Sequence, residues 1–279
     1  MVEFSIIIPT YNSAQFILPC LDSIFRQSAV DFEIILVDNG SEDNTTSLVR
    51  NKYPKVSILT NKINLGASRA RNQGLAATSY AWVLVLDCDT VLENNFLETA
   101  SKIISTLPPG IGLIQPKILD AKQDKIYSAG IKMSFLKRFQ DIGKGSLGGK
   151  KIDVSGYIFG ACCAAALYRR EMLEEIKDRY GYFDERFFFL FEDVDLSWRG
   201  QKKGWICLYD PRLSCRHHGN SSRMENYNRQ FLSFINRQRT ILKNQNPFII
   251  LLMFPLYLVY DLPRFFMLAV KFKCKFPKF

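Results

Sequence analysis

Four short runs of apolar, often β-branched residues recur along the first third of the chain and predict strands. They are Phe4–Ile8, Phe32–Val37, Val56–Leu59 and Trp82–Leu86. Segments with helical spacing separate these runs. Strands and helices that alternate at a spacing of roughly 25 residues predict βαβ units, and therefore an α/β fold with a Rossmann-like, mainly parallel central sheet flanked by helices.

Three helices are predicted between these strands, and a fourth is predicted later in the chain. The first carries an apolar stripe of Ile17, Leu21, Ile24 and Phe25. The second follows Asp43 and ends before Pro54, and the third runs from about Ala67 to Ala77. The fourth, from Met224 to Asn244, sets apolar residues among basic ones at helical spacing.

Polar and turn-forming residues follow each of the four predicted strands. The strand ends read PTYN, VDNGSED, TNKINLG and DCDT. In open α/β sheets, ligands bind beyond the carboxyl ends of the strands. Functional residues are therefore expected at this edge of the sheet.

Two aspartates end the fourth strand, in the stretch VLVLDCDT. Asp87 and Asp89 are two residues apart, so an extended backbone points both carboxylates to one side and Cys88 to the other. Two like charges at this distance call for a compensating cation. Mg²⁺ and Mn²⁺ prefer oxygen ligands, commonly one or two carboxylates with substrate phosphates. The alternative is a turn with two solvated acids, since this pattern also occurs often by chance.

Composition narrows the class of protein. The 279 residues are 47% hydrophobic, which indicates a globular chain. The formal net charge of +10 favours anionic partners such as nucleotide phosphates, nucleic acid or an acidic membrane surface. Nucleic acid is disfavoured, because the basic residues do not gather on one predicted helix and acidic residues occupy the strand ends.

Cysteine usage and the N-terminus favour a reducing compartment. The seven cysteines are scattered without a CxxC pair, which argues against a disulfide framework and a structural zinc site. The start, MVEFSIIIPTYN, has no basic region and only a short apolar run, unlike a signal peptide. These features predict a catalytic part that faces the cytoplasm.

The segment Lys137–Lys151 is rich in glycine and basic residues, so it is predicted to form neither helix nor strand interior. A solvated loop is the simple interpretation, and a flap over an acceptor is the functional one.

The C-terminal segment combines apolar and basic residues. Phe248–Tyr260 is an apolar run interrupted by Pro255, too short and too interrupted to predict a transmembrane helix. The tail KFKCKFPKF alternates lysine with other residues, mostly phenylalanine. This combination suits an anionic membrane surface. The alternative is a hairpin packed on the domain or on a second subunit.

Several further motifs occur together with these. They are SIIIPTYN, EIILVDNGSEDNT, NLGASRARNQG, LVLDCDT, GACCAAALYRREMLEEI, GYFDERFFFLFEDVDLSWRGQKKGW and RHHGNSS. In this order and spacing the chain resembles family 2 glycosyltransferases, inverting enzymes with the GT-A fold. The resemblance covers roughly residues 3 to 245. It implies a glycosyltransferase domain over 1–245. The apolar and basic residues 246–279 then form a helical C-terminal extension, which their composition predicts to associate with the membrane.

The resemblance assigns donor-binding roles to seven residues. Pro9, Thr10 and Tyr11 would line the nucleotide pocket, and Asp38 would accept a hydrogen bond from the base. Arg71 and Asn72 would meet the base or the diphosphate, and Asp87 would bind the donor through the metal. A helix N-cap is the structural alternative for Asp38. The Asp38-Asn39 pair resembles the rhamnosyltransferase-type branch of the family.

Two acids in FEDVDL carry the predicted chemistry. By resemblance Asp193 is the catalytic base, and the preceding phenylalanines would raise its pKa by desolvation, which suits that role. Glu192 is either an acceptor contact or a helix-start acid favoured by the helix dipole, and the same alternatives apply to Asp195. Trp198 is either a core residue or a sugar platform in the acceptor site.

The chain contains two histidines, His217 and His218, which are adjacent and point opposite ways in extended backbone. The resemblance implies that His217 is a third metal ligand beside Asp87 and Asp89. Packing or surface exposure is the alternative for His217 and the favoured interpretation for His218.

These observations predict an inverting, Mn²⁺- or Mg²⁺-dependent glycosyltransferase that uses a UDP- or dTDP-linked sugar. The acceptor would be a hydroxyl of a glycan or a polyprenyl-linked glycan at the cytoplasmic face of the membrane, and a homo-oligomer is possible. A nucleotide-sugar-binding scaffold without activity is the alternative, although Asp87, Asp89 and Asp193 are all present. A sugar-phosphate nucleotidyltransferase is disfavoured because PTYNSAQF is not a glycine-rich loop.

Overall fold

The computed structural model describes residues 2–27, 30–150, 152–219 and 226–271, with only the backbone described at 226, 227, 270 and 271. Within these ranges twelve strands form: β1 Phe4–Thr10, β2 Phe32–Asp38, β3 Ser57–Thr60, β4 Trp82–Leu86, β5 Thr90–Leu92, β6 Ile111–Asp120, β7 Ile126–Ser128, β8 Ile131–Met133, β9 Phe139–Asp141, β10 Gly156–Ile158, β11 Ala165–Arg169 and β12 Ile206–His217. The same ranges contain eight helices: α1 Ala14–Phe25, α2 Thr45–Lys52, α3 Ala67–Ala76, α4 Phe96–Ile104, α5 Arg170–Ile176, α6 Glu192–Lys202, α7 Asn226–Asn244 and α8 Pro247–Lys271.

One ten-stranded sheet forms the centre, with β8 and β9 as a separate hairpin. The strand order is β10-β12-β6-β11-β4-β1-β2-β3, with β5 paired to β12 and β7 paired to β6. β3, β2, β1 and β4 are mutually parallel. β11 enters antiparallel between β4 and β6. The predicted parallel sheet is therefore found in the first half of the chain, and the second half adds mixed pairing.

Both faces of the sheet are covered, which explains why its central strands are continuously apolar. Along β1, Ile6 and Ile8 pack into a core with α1 and α4, while Ile7 packs into a second core with α3 and α5. Each such side chain contributes about 1.5–3 kcal/mol by leaving water. These cores fix the carboxyl ends of β1, β2 and β4 relative to one another.

The predicted helices of the first half are confirmed, with one exception in the stripe on α1. Ile17, Leu21 and Ile24 are buried, but Phe25 is 41% exposed. Phe25 ends the helix, and its ring stacks on Tyr53 with centroids 4.4 Å apart. The end of the helix therefore packs on the segment after α2 rather than in the core.

The glycine-rich segment departs from its prediction at one end. Phe139–Asp141 forms β9 and pairs with β8, so this part of Lys137–Lys151 is strand. Four glycines follow and have positive φ angles: Gly143, Gly145, Gly148 and Gly149. Glycine adopts these angles readily and other residues rarely do, so they are typical of glycine in loops. Lys151 lies outside the described residues.

The C-terminal apolar segment is one continuous helix, so the expected interruption at Pro255 is wrong. α8 runs through both Pro255 and Pro263. Each proline removes one backbone N–H, and both rings lie on the exposed side of the helix, which continues past them. Among the described residues, Pro247–Ala269 is the one helix long and apolar enough to cross a membrane, judged by length and composition alone. The predicted tail after Lys271, and Met224 at the start of the fourth predicted helix, lie outside the described residues.

Candidate active site

A cleft with two lobes opens at the carboxyl ends of β1, β2 and β4. The first lobe, of 190 Å³, is lined by residues from β1 and its following turn, the start of α3, and Phe188. The second lobe, of 130 Å³, is lined by Tyr127, Cys162, Cys163 and the start of α6. Arg71, Asp87 and Phe189 border both lobes. A molecule in one lobe therefore meets the same charged pair as a molecule in the other.

Two carboxylates and one imidazole form a compact cluster in the wall of the second lobe. Asp87 and Asp89 follow β4, and His217 ends β12, where it pairs with Thr90 of β5. His217 Nε2 lies 3.0 Å from Asp89 Oδ1 and 3.9 Å from Asp87 Oδ2. As predicted, the Cys88 side chain points away from the two carboxylates, and its Sγ donates a hydrogen bond to Ser13 Oγ at 3.1 Å. His218 also points away, with its ring 5.3 Å from that of Phe16.

This donor set fits a hard divalent cation. One ligand atom from each of Asp87, Asp89 and His217 lies within 4.8 Å of the others. A cation about 2.1 Å from each ligand needs spacings of about 3–4 Å between ligand atoms, and the two distances from His217 Nε2, 3.0 Å and 3.9 Å, lie in this range. Two carboxylates and an imidazole are a donor set suited to Mn²⁺ or Mg²⁺ with a phosphate oxygen.

Arg71 connects the cluster to α6. Its Nη2 donates to Asp87 Oδ1 at 2.9 Å, and its Nη1 donates to Glu192 Oε1 at 2.5 Å. Burial raises the pKa of Asp87, and the charges of Arg71 and His217 oppose that shift. Glu192 lies in the first turn of α6 and is buried, so it is both a helix-start acid and the partner of Arg71.

The turn before α6 is strained and is held by a side chain from α7. Leu190 and Phe191 have φ angles of 69° and 73°, in the left-handed region that bulky residues rarely adopt. Asn236 Nδ2 donates to the carbonyl oxygens of Phe189 and Leu190, both at 2.9 Å. Strain of this kind persists where the surroundings fix it, commonly at functional sites. It aims Glu192 and Asp193 into the cleft.

Asp193 is half-buried in the second lobe, and its Oδ2 accepts a hydrogen bond from the Cys163 N–H at 3.4 Å. Burial raises the pKa of Asp193 to about 7; the charge of Glu192 adds to the shift, and that of Arg71 opposes it. A carboxylate that gains and loses a proton near neutral pH is suited to act as a general base.

Pro9, Thr10 and Tyr11 line the first lobe, whereas Asp38 is not one of its lining residues. Asp38 is buried, and its Oδ2 accepts the Ser41 N–H at 3.2 Å. It is not the N-cap of α2, since Asn44 holds that position.

The neighbouring Asn39 lines the first lobe and forms an amide network. Its Nδ2 donates to Asn64 Oδ1 and to the Gly66 carbonyl, and its Oδ1 accepts from Asn61 and from the Leu65 N–H. The network fixes the turn that leads into α3.

Asn72 does not reach the cleft, which corrects its expected placement beside the donor. Its Nδ2 donates to the Phe183 carbonyl at 2.8 Å and its Oδ1 accepts the Phe183 N–H at 2.9 Å. Successive residues on a helix are about 100° apart, so Arg71 and Asn72 face different surroundings. Asn72 holds the segment before α6 against α3.

Trp198 and Asp195 are also turned away from the cleft. Trp198 is 7% exposed and packs with Ile241, Met253 and Tyr257, so its predicted placement as a sugar platform is corrected to a core position. Asp195 is fully buried and accepts hydrogen bonds from Arg199, Lys243 and Asn244. Both residues join α6 to the C-terminal helices.

Replacing Trp198 by alanine (Trp198→Ala) is expected to lower the free energy of unfolding by about 3–5 kcal/mol, because it leaves a cavity between α6, α7 and α8. Urea unfolding measures this. The control Leu147→Ala, at a side chain 81% exposed, should change little. Unchanged stability of Trp198→Ala with a raised KM for the acceptor would instead place the indole in the acceptor site.

Several cleft residues were not predicted from the sequence. They are Ser13, Asn39, Asn64, Gly66, Ala67, Tyr127, Cys162, Cys163, Phe188, Phe189 and Arg229. Phe188 and Phe189 belong to the aromatic run FFFLF. The only sign in the sequence that this run borders a site is its position directly before the two acids Glu192 and Asp193. Tyr127 lies on a short strand, and nothing in its local sequence marks it.

Comparison with known proteins agrees with this geometry. The family model described as glycosyl transferase family 2 matches residues 5–177. Poly-beta-1,6-N-acetyl-D-glucosamine synthase of Staphylococcus epidermidis is 25% identical over 222 residues, which is 76% of this chain and 48% of that protein. A PGL/p-HBAD biosynthesis glycosyltransferase of Mycobacterium bovis is 40% identical over 92 residues, 32% of this chain and 36% of that protein. The chain thus spans less than half the length of these curated relatives.

Solved structures share the fold over nearly the whole chain. The mannosyltransferase PcManGT from Pyrobaculum calidifontis, in complex with GDP-Man and Mn²⁺, matches with a TM-score of 0.63 and 18% identity over 98% of this chain and 76% of that one. S. aureus TarS 1-349 in complex with UDP matches with a TM-score of 0.60 and 19% identity, at the same coverage.

The sheet, the cleft at its strand ends and these structural neighbours define a protein of the GT-A fold. The chain belongs to glycosyl transferase family 2. The resemblance seen in the motifs and the predicted fold class are both confirmed.

Proposed function

We propose that the protein is an inverting, metal-dependent glycosyltransferase that moves a sugar from a UDP- or dTDP-linked donor to a hydroxyl group of a glycan. One observation carries the proposal: Asp193, a carboxyl with a pKa of about 7, lies in the same lobe as Asp87 and His217. The family match supports the enzyme class, and this juxtaposition supports the chemistry.

The donor would occupy the first lobe, with its diphosphate toward Asp87. Asp38 Oδ1 and Thr10 Oγ1 are buried and lack a hydrogen-bond partner among the described residues. Such atoms are costly unless a ligand satisfies them, which supports contacts between this wall and a nucleoside. UDP bound to TarS and GDP-Man bound to PcManGT show that proteins of this fold accept different nucleotides. The choice of UDP or dTDP is therefore part of the proposal.

The transfer would take place where the two lobes meet. The oxygen of the acceptor hydroxyl forms a bond to the anomeric carbon of the sugar. At the same time the hydroxyl proton passes to a carboxylate oxygen of Asp193. The bond from that carbon to the diphosphate oxygen breaks on the opposite side, so the configuration inverts. Arg71 holds Asp87 and Glu192 in place during this step. A divalent cation held by Asp87, Asp89 and His217 would neutralise charge on the departing diphosphate.

The acceptor would occupy the second lobe, beside Tyr127 and Glu192. Glu192 Oε2 is buried and lacks a hydrogen-bond partner among the described residues, so it can accept from a sugar hydroxyl. We include a polyprenyl-linked glycan among the acceptors because α8, in the C-terminal extension, presents an apolar surface. On this proposal residues 1–245 form the catalytic domain, and residues 246–279 place it at the cytoplasmic face of the membrane. A homo-oligomer stays a prediction.

Nucleotide binding tests the proposal first. Thermal unfolding with UDP, dTDP, GDP, ADP or CMP, each with and without Mn²⁺, should show stabilisation by one diphosphate that depends on the metal. A ligand at one hundred times its dissociation constant adds about 2.7 kcal/mol, a shift of several degrees. Mn²⁺ alone is the control. Stabilisation without transfer from any sugar donor would favour the interpretation as a non-catalytic nucleotide-sugar-binding scaffold. If no nucleotide stabilised the folded protein, both the glycosyltransferase and the scaffold interpretations would be contradicted.

A further inference from the structure

One side of α8 is apolar and exposed along its whole length. Every exposed side chain from Pro247 to Ala269 is apolar, including Phe248, Leu252, Val259 and Phe266. The opposite side, with Met253, Tyr257, Asp261 and Leu268, is buried against the domain. We call the exposed side the apolar face of α8. A continuous apolar face of this size marks an interaction surface.

A buried ion pair holds α8 in this position. Arg237 of α7 donates from Nη1 to both oxygens of Asp261 at 2.8 Å, and Gln238 donates to Asp261 Oδ2 at 2.9 Å. Arg237 also donates to the carbonyl oxygens of Leu136 and Lys137, in the turn between β8 and β9. One guanidinium therefore ties α7, α8 and the β8–β9 hairpin together.

The β8–β9 hairpin extends the surface and supplies positive charge. Phe135, at its turn, is 75% exposed. The Arg138 guanidinium lies 4.3 Å from the centre of the Tyr260 ring on α8, and Lys132 is exposed on β8. In the sequence, four lysines and no acid occur from Lys271 to Phe279. Apolar side chains flanked by cations are complementary to an anionic lipid surface.

We propose that α8 lies in the plane of an anionic membrane surface, with its apolar face and Phe135 among the lipids, and does not cross the bilayer. The inference rests on the membrane-facing location proposed above, but it does not depend on sugar chemistry. The partner is a lipid surface with acidic headgroups.

The buried ion pair between Asp261 and Arg237 favours the in-plane arrangement. If α8 crossed the bilayer, Asp261 would either lose Arg237 and enter hydrocarbon, or bring α7 and the hairpin in with it.

The second lobe is connected to α8 through a buried aromatic core. The ring of Phe139, on β9, lies 5.7 Å from that of Phe191, which lines the second lobe. Phe139 also contacts the Trp198 ring, which packs with Met253 and Tyr257 on the buried side of α8. The apolar face of α8 therefore lies on the outside of the same packed unit that forms one wall of the second lobe.

Vesicle binding by the full chain tests the surface. Co-sedimentation with phosphatidylglycerol-containing vesicles should exceed that with phosphatidylcholine alone. Leu252→Glu and Val259→Glu should each weaken binding about tenfold or more, because a charge replaces an apolar side chain that the proposal places among the lipids. Phe135→Glu should weaken it too. Val154→Glu, at a residue 64% exposed elsewhere, is the matched control and should bind as the wild type does.

Three tryptophan variants test the orientation. Leu252→Trp, Val259→Trp and Phe266→Trp lie on the same face, about 10 Å apart along the helix. In vesicles with lipids brominated at shallow or deep chain positions, the in-plane helix predicts equal, shallow quenching at all three after the wild-type signal is subtracted. A crossing helix predicts that Val259→Trp is quenched most by deep bromines.

Two results would overturn the proposal. One is the crossing pattern of quenching. The other is that folded protein does not bind vesicles but forms a concentration-dependent dimer, and that the Leu252→Glu variant stays monomeric. A second copy of the chain would then cover the apolar face. No sugar transfer is measured in either experiment, so failure here is distinct from failure of the glycosyltransferase assignment.

Discussion

Asp193→Asn is expected to lower sugar transfer by about 10²–10⁴-fold while leaving nucleotide affinity unchanged. The amide keeps the size of the side chain but cannot take a proton from the acceptor hydroxyl. Asp193 lies in the second lobe and Thr10 lines the first, so the proposed nucleotide contacts should be preserved. Transfer is measured with the donor found by thermal unfolding, and affinity by titration of the same nucleotide.

The pH profile identifies the ionising group. Because only the carboxylate accepts a proton, wild-type transfer should rise with pH through about 7 and level off above it. The charge of Glu192 contributes to the raised pKa of Asp193. Glu192→Gln should therefore move the midpoint of the profile to lower pH, whatever it does to the maximal rate. An unmoved midpoint would assign the ionisation to another group.

Stability supplies a control for folding. A carboxyl whose pKa is raised in the folded protein costs stability above its unfolded pKa of about 3.9, and the cost grows until about pH 7. Asp193→Asn removes this cost, so the variant should melt above the wild type at neutral pH, and the difference should shrink as the pH falls toward 4. Wild-type turnover in a variant with this melting behaviour would remove Asp193 from the mechanism.

Asp89→Asn should reduce transfer by at least about a hundredfold and abolish the metal dependence of nucleotide binding. Asp89 is buried and lies 3.0 Å from His217 Nε2, so its charge is central to the cluster. Chelation of divalent ions should have the same effect on the wild type, and Mn²⁺ or Mg²⁺ should restore activity to the wild type but not to the variant.

His218→Gln is the matched control for the cluster. His218 is adjacent to His217 but its ring contacts Phe16, and its backbone N–H, which donates to the Asp89 carbonyl, is kept in the variant. We expect metal-dependent transfer close to that of the wild type. Activity that persists in Asp89→Asn and after chelation would mean that the cluster serves packing and that transfer needs no metal.

The sequence was most informative where local pattern decides position. The strands of the parallel half have mainly apolar runs, so their ends could be placed. The alternation of side chains along a strand set Asp87 and Asp89 on one side and Cys88 on the other. The same alternation separated His217 from His218. That the two carboxylates and His217 meet depends on the pairing of β12 with β5 and β6, which no local pattern specifies.

Helical positions near the site were harder to predict, because a motif does not say which face of a helix meets the cleft. Arg71 and Asn72 are adjacent, yet one borders the cleft and the other bonds the backbone of Phe183. Trp198 is buried because α7 and α8 pack over α6, and those contacts join residues far apart in sequence. The sequence predicts a break at Pro255, but α8 continues through it, with Met253 and Tyr257 packed on the domain before and after that proline.

Asn236 and Arg237 are consecutive residues of α7 with different tasks. Asn236 holds the turn before Asp193, and Arg237 holds the hairpin and α8. α7 cannot move along or about its axis without breaking the hydrogen bonds of Asn236 or those of Arg237. The distance from the apolar face of α8 to the proposed base, Asp193, is therefore set by a rigid helix. With α8 in the membrane surface as proposed, the reactive hydroxyl must lie at one height above the bilayer. The length of the acceptor would then decide which sugar residue is extended, and a chain one unit too long would escape further transfer.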